Sequence, residues 1–88
     1  LDFLTTKQFK KDITKAPKQV VTKFQEWATA VELLGLAETR KRPSFHDEPL
    51  KGKRLGQRSV RLNQQWRLIY CEHSKTLIEL EELTPHAY

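Results

Sequence analysis

Pro17-Lys18-Gln19-Val20-Val21-Thr22-Lys23-Phe24-Gln25-Glu26-Trp27-Ala28-Thr29-Ala30-Val31-Glu32-Leu33-Leu34-Gly35 carries the strongest periodic signal in the chain. Val20, Phe24, Trp27, Val31 and Leu34 recur at four- and three-residue steps, the spacing that lines up side chains on one face of an α-helix. Val21 and Ala28 widen that stripe. Pro17 suits a first helical turn, where its missing N–H costs nothing, and Gly35 is a natural stop. The stretch reads as one helix with its Trp27 face turned to a core. Upstream, Thr5 or Thr6 can cap a shorter helix running to about Lys15, with Phe9 and Ile13 one turn apart. Leu1 to Leu4 read as the end of an N-terminal edge strand.

Downstream the period changes. Lys41 to Gly56 hold Pro43, Pro49, Gly52 and Gly56 and read as a loop. Three strand-like runs follow, Arg58 to Leu62, Trp66 to Cys71 and Thr76 to Leu83, separated by short polar turns. The expected order is β-α-α-β-β-β, an α+β domain with two N-terminal helices packed on a small, mainly antiparallel sheet and spanning 1–88. Side chains alternate between the faces of a strand. Val60 and Leu62 are therefore expected inward, and Ser59, Arg61 and Asn63 outward. In the second run both faces are partly apolar, so alternation does not decide. In the third, Glu79 and Glu81 are expected on one face, where they either hold the arginines by bidentate pairing or form ordinary surface ion pairs.

Composition narrows the function. The chain has 88 residues, 38% hydrophobic and 31% charged, which fits one folded domain with a thin core rather than a disordered tail. No apolar run approaches the roughly 18 residues needed to span a bilayer, and no signal peptide is visible, so a cytoplasmic protein with no membrane role is expected. The one cysteine, Cys71, excludes an internal disulfide and a zinc site built on several thiolates. No metal or other cofactor is expected. The net charge of +5 is concentrated: Arg40, Lys41, Arg42, Lys51, Lys53, Arg54, Arg58, Arg61 and Arg67 are opposed only by Asp47 and Glu48. A localised positive field suits a polyanion such as nucleic acid; a solvated basic loop is the plainer reading.

Three segments carry a resemblance. His46-Asp47-Glu48-Pro49-Leu50-Lys51-Gly52-Lys53-Arg54, then Gly56-Gln57-Arg58-Ser59-Val60-Arg61-Leu62, then Trp66-Arg67-Leu68-Ile69-Tyr70 resemble the RelE/ParE superfamily of toxins. The Glu-Pro-Leu-Lys and Ser-x-Arg elements are similar to its YoeB branch, and Leu-Lys-Gly-x-Arg-x-Gly-Gln to its HigB branch. Pro85-His86-Ala87-Tyr88 resembles the tails of the RNA-cleaving members. The resemblance implies the toxin of a type II toxin–antitoxin pair, partnered by a cognate antitoxin and by the mRNA-loaded ribosome. It implies metal-free, ribosome-dependent cleavage of mRNA in the A site. By motif match Glu48 takes the place of the general base, Arg61 and Arg67 of the phosphate-binding arginines, and His86 of the general acid. Tyr88 is also placed in the catalytic set, although Ala87 separates it from His86. His46 has a HigB-like counterpart, but Asp47 and Glu48 are extra after it.

Those residue types match the chemistry. Cleavage without a metal needs a base for the 2′-OH proton, cations for the phosphorane-like transition state, and an acid for the leaving 5′-oxygen. Glu48, the arginine forks and a histidine supply these roles. Tyr88 or Trp66 is suited to stacking on a base, although packing in the core is the plainer reading of Trp66. Lys51, Lys53, Arg54 and Arg58 are expected to bind RNA or ribosome backbone rather than to catalyse. Two other readings use the same fold: a ParE-like binder of DNA gyrase that cleaves nothing, and an inactive nucleic-acid-binding module.

Overall fold

The computed structural model describes residues 1–85. The expected tail residues His86 and Tyr88 lie outside the described residues. In chain order the elements are β1 (Asp2–Thr5), α1 (Lys7–Lys15), α2 (Lys18–Leu34), α3 (Leu36–Arg40), β2 (Glu48–Pro49), β3 (Gln57–Arg61), β4 (Arg67–Ser74) and β5 (Leu77–Thr84). The sheet order is β1-β5-β4-β3-β2. β1 runs parallel to β5 and the other neighbours are antiparallel. This is the α+β arrangement expected, with two additions. The short helix α3 follows Gly35, and the region expected to be loop contains β2 as well as 3-10 turns at Pro43–Phe45 and Gly52–Arg54. A two-residue strand is too short for alternation to reveal it.

The helix ends follow local chemistry. Thr6 Oγ1 accepts the Phe9 N–H at 3.0 Å, which satisfies a donor that the first turn of α1 would leave orphaned. α2 ends at Gly35, whose φ of 83° is open to glycine and strained for other residues. Its N–H returns to the Val31 carbonyl at 2.8 Å. Leu34, expected in the core stripe, is exposed instead, because the chain turns at Gly35 and Leu36 takes the buried place.

Val20, Phe24, Trp27 and Val31 of α2 bury their side chains against Val60, Leu62, Leu68, Tyr70, Ile78, Leu80 and Leu83 of the sheet side. The Trp27 ring sits 5.2 Å from Tyr70 and 6.1 Å from Phe3, centroid to centroid. Val60 and Leu62 thus point to the helices, as alternation requires. The ambiguity in β4 is resolved by Leu68 and Tyr70 joining this core, which leaves Arg67, Ile69 and Cys71 to the opposite face. Trp66 is half-buried and packs on the core rim.

β5 contains an irregularity that alternation alone misses. Leu80 pairs with Tyr70 while Glu82 pairs with Ile69, so Glu81 is the extra residue of a bulge. The bulge places Glu82, rather than Glu81, opposite the outward-facing Ile69. Groups displaced from the ladder are recovered by α1: the Glu81 carbonyl accepts from Thr6 Oγ1 at 2.6 Å, and the Leu83 N–H donates to Asp12 Oδ2 at 3.0 Å.

Candidate functional site

The sheet face away from the helices gathers three of the expected site residues, Glu48, Arg61 and Arg67, at one end. β2 lays Glu48 opposite Ser59, and β3 lays Arg61 directly opposite Arg67 of β4. Ser59 and Arg61 are two positions apart on one strand and so share a face. Glu48, Arg61 and Arg67 therefore form one cluster, with Ser59 buried at its base. Among the described residues, Arg61 makes no hydrogen bond or ion pair and is exposed. Arg67 Nη1 donates to the carbonyls of Asn63 at 2.9 Å and Trp66 at 3.2 Å. Those bonds fix the guanidinium on the β3–β4 turn. Burial and the neighbouring Arg61 charge both lower the Arg67 pKa, while the Glu48 charge acts to raise it. An arginine still stays protonated at neutral pH. Two facing guanidiniums with one carboxylate beside them form an anion site that is under-neutralised as it stands.

His46 joins this cluster. Its Nε2 lies 3.7 Å from Glu48 Oε2, and both side chains are half-exposed. The backbone at His46 is left-handed, with φ of 45° and ψ of 52°, and no other non-glycine residue described has a positive φ. A side chain with a Cβ adopts that conformation at a cost that the surrounding structure must offset. A groove of about 420 Å³ beside Glu48 is lined by Pro49, Leu50, Lys51 and Arg54.

The remaining basic residues divide. Lys51 and Lys53 are exposed. Arg54 is partly tied down by Gln57 Oε1 at 2.9 Å and Glu82 Oε2 at 3.3 Å. Arg58 stands apart from the cluster. It pairs across the ladder with Tyr70, and its Nε donates to Asp47 Oδ1 at 2.6 Å. That engagement commits the Arg58 Nε to Asp47, a structural contact beside the RNA or ribosome backbone contact expected of this residue. Glu79 does not hold the arginines either; it meets His73 Nε2 at 2.8 Å. The far end of the same face is acidic. Burial, with Glu81, Glu79 and Glu72 nearby, pushes the Cys71 thiol up, and burial with Glu79 pushes Glu81 up. Cys71 is thus kept from the thiolate form that nucleophilic chemistry would need.

Sequence reasoning missed Asp47, Tyr70, Arg40 and Glu72. The Tyr70 hydroxyl donates to Asp47 Oδ2 at 2.5 Å, and Arg40 Nη2 donates to Glu72 Oε1 at 2.9 Å. Burial and the Asp47 charge drive the Tyr70 pKa far above the usual tyrosine range. The available signal was Asp47 itself, one of only two acids in the basic stretch from Arg40 to Arg67.

A family model for the YafQ bacterial toxin of type II toxin–antitoxin systems matches residues 1–88. The chain belongs to that toxin family. Solved structures agree. YafQ from E. coli strain BL21(DE3) is 25% identical, with a TM-score of 0.77 over 94% of this chain and 90% of that one. YafQ in the E. coli DinJ–YafQ toxin–antitoxin complex is 25% identical, with a TM-score of 0.72 over 94% of this chain and 89% of that one. A YoeB/ParE toxin from Agrobacterium tumefaciens shares the fold at 20% identity, with a TM-score of 0.76 and full coverage of both chains. No curated protein sequence matches the chain at a significant level. In this YafQ-family toxin, Glu48, Arg61 and Arg67 are the members of the expected set that the described residues bring together, at the outward end of the sheet. Among the described residues no helix is long and apolar enough to cross a membrane.

Proposed function

We propose that this toxin is a metal-free, ribosome-dependent endoribonuclease that cleaves mRNA in the A site, acting in the cytoplasm as a single domain over 1–88. The observation that carries the reading is the facing pair Arg61 and Arg67 with Glu48 beside it. A bridging phosphate would relieve the repulsion between the guanidiniums, and the doubly charged phosphorane-like transition state would do so more fully. Interactions that strengthen in the transition state are the ones that accelerate a reaction. Glu48 takes the 2′-OH proton, and the 2′-oxygen attacks the adjacent phosphorus to form a cyclic phosphate. The bond to the 5′-oxygen breaks, and that oxygen leaves with a proton from an acid. His86 is the proposed acid, Tyr88 a proposed stacking partner, and His46 a second proton carrier within reach of Glu48. Lys51 and Lys53, with Arg54 partly engaged, are proposed to bind RNA backbone.

The open sheet face offers little wall to hold flexible RNA, and positioning supplies several kcal/mol of catalytic barrier reduction. The ribosome is proposed to supply that constraint. The DinJ–YafQ complex supports a cognate antitoxin as the second partner, one that neutralises the positive end of the sheet. Purified toxin added to mRNA-programmed ribosomes should produce new mRNA 3′ ends within the A-site codon, and naked mRNA should stay intact. Ribosome programming without cleavage, together with inhibition of DNA gyrase, would favour the ParE-like reading instead. Neither activity would leave the inactive binding module.

A further inference from the structure

Between two half-exposed residues of the site sits a carboxylate that solvent cannot reach. The Asp47 side chain is 0% exposed, while those of His46 and Glu48 are each 51% exposed. A carboxylate is costly to bury unless its oxygens are paired and hydrogen-bonded. Asp47 meets that condition with both: Oδ1 accepts from Arg58 Nε at 2.6 Å and Oδ2 from the Tyr70 hydroxyl at 2.5 Å. Arg40 Nε stands 4.0 Å from Oδ1, while its Nη2 reaches Glu72 at 2.9 Å. One side chain thus ties the loop to β3, to β4 and to the end of α3. On its N-terminal side is the left-handed backbone of His46, and on its C-terminal side Glu48 begins β2 opposite Ser59.

We propose that Asp47 is a positioning residue: by clamping the loop to Arg58 and Tyr70 it holds His46 in its strained conformation and sets Glu48 beside Arg61 and Arg67. This rests on the RNA-cleaving reading of Glu48. β2 has only two residues, so ladder hydrogen bonds alone cannot set the Glu48 side chain. The residues that do so are those touching the neighbour it cannot move without. Arg58, whose charge faces Asp47 rather than solvent, belongs to the same clamp.

The test measures single-turnover cleavage at saturating ribosomes, together with ribosome affinity. The proteins are wild type, Asp47→Asn, Tyr70→Phe, Glu48→Gln and the Asp47→Asn/Glu48→Gln double variant. A misplacement of about 1 Å costs on the order of a hundredfold, so Asp47→Asn should lose about 10- to 100-fold in rate with affinity changed less than about twofold. The double variant should be no slower than Glu48→Gln alone, because residues acting through one group are non-additive. An equal further loss in the double variant shows a general structural role and overturns the proposal. If Asp47→Asn fails to fold, Tyr70→Phe decides: it keeps the ring in the core and removes one of the two clamps. Its expected result is a smaller loss than in Asp47→Asn, up to about tenfold in rate, since half of the clamp and so part of the positioning remains, with an unchanged circular dichroism spectrum; the wild-type rate overturns the clamp. Wild-type cleavage by Asp47→Asn beside an inactive Glu48→Gln sinks the positioning role alone. Wild-type cleavage by Glu48→Gln removes the catalytic reading and the positioning role with it.

Discussion

Replacing Arg61 with glutamine should make the free toxin more stable while disabling its anion site. Arg61 and Arg67 are directly opposed across β3 and β4, and Arg61 makes no ion pair or hydrogen bond among the described residues. Like charges directly opposite in a sheet oppose folding by roughly 0.2–1 kcal/mol. Exposure and ionic screening put this pair in the lower half of that range. Glutamine keeps a polar amide on a shorter side chain and removes the charge. In a domain of this size about 1 kcal/mol shifts Tm by roughly 4–8 °C, so the gain should be about 1–4 °C at low ionic strength, shrinking as salt is added. Inorganic phosphate separates this from a generic surface effect. At ten times its Kd a ligand stabilises the native state by about 1.4 kcal/mol, so wild type should show a Tm rise of several degrees in phosphate over chloride at matched ionic strength. Arg61→Gln should lose most of that rise. Differential scanning fluorimetry reads both quantities. A Tm lowered by several degrees in Arg61→Gln, or an undiminished phosphate response, would show that the two arginines do not form a strained anion site.

Lys53→Ala should weaken ribosome binding and flatten its salt dependence by about one unit of slope, with the rate at saturation unchanged; titration at several salt concentrations measures both. Asp12→Ala strands the Leu83 N–H at the β5 bulge, so chemical denaturation should show about 1–3 kcal/mol lost. Tyr70 should fail to ionise near the usual value of about 10, so alkaline difference spectra of folded wild type and folded Tyr70→Phe should show the same tyrosinate amplitude there; a larger amplitude in wild type would contradict this. The sign follows from linkage. A folded-state pKa raised above the unfolded one contributes stability that is fully present below about pH 10 and is lost as pH rises toward the folded value.

The helix stripe and the three long strands were legible because each buries one face, and burial imprints a period on the sequence. Val20, Phe24, Trp27 and Val31 announced α2, and Val60 with Leu62 announced which way β3 faces. Glu48, Arg61 and Arg67 were legible as a set through motif resemblance, and alternation placed Arg61 outward. Three things left no periodic trace. β2 is held by pairing with β3 rather than by apolar burial. The bulge at Glu81 shifts the alternation of β5 by one residue, which no local pattern signals. The clamp around Asp47 joins residues from 40 to 72 through side-chain bonds, and contacts of that kind depend on tertiary geometry. Arg58 shows the consequence: in sequence it is one more cation in a basic stretch, and in the fold its charge is turned to a buried carboxylate.

On the proposed function, Glu48 and the facing arginines perform chemistry rather than merely bind RNA. Single-turnover cleavage of ribosome-bound mRNA by Glu48→Gln, with ribosome binding measured on the same preparation, tests it most directly. General base catalysis contributes about 10²- to 10⁴-fold, so the rate should fall at least about a hundredfold while affinity stays within about twofold of wild type. A wild-type cleavage rate from Glu48→Gln would contradict the account.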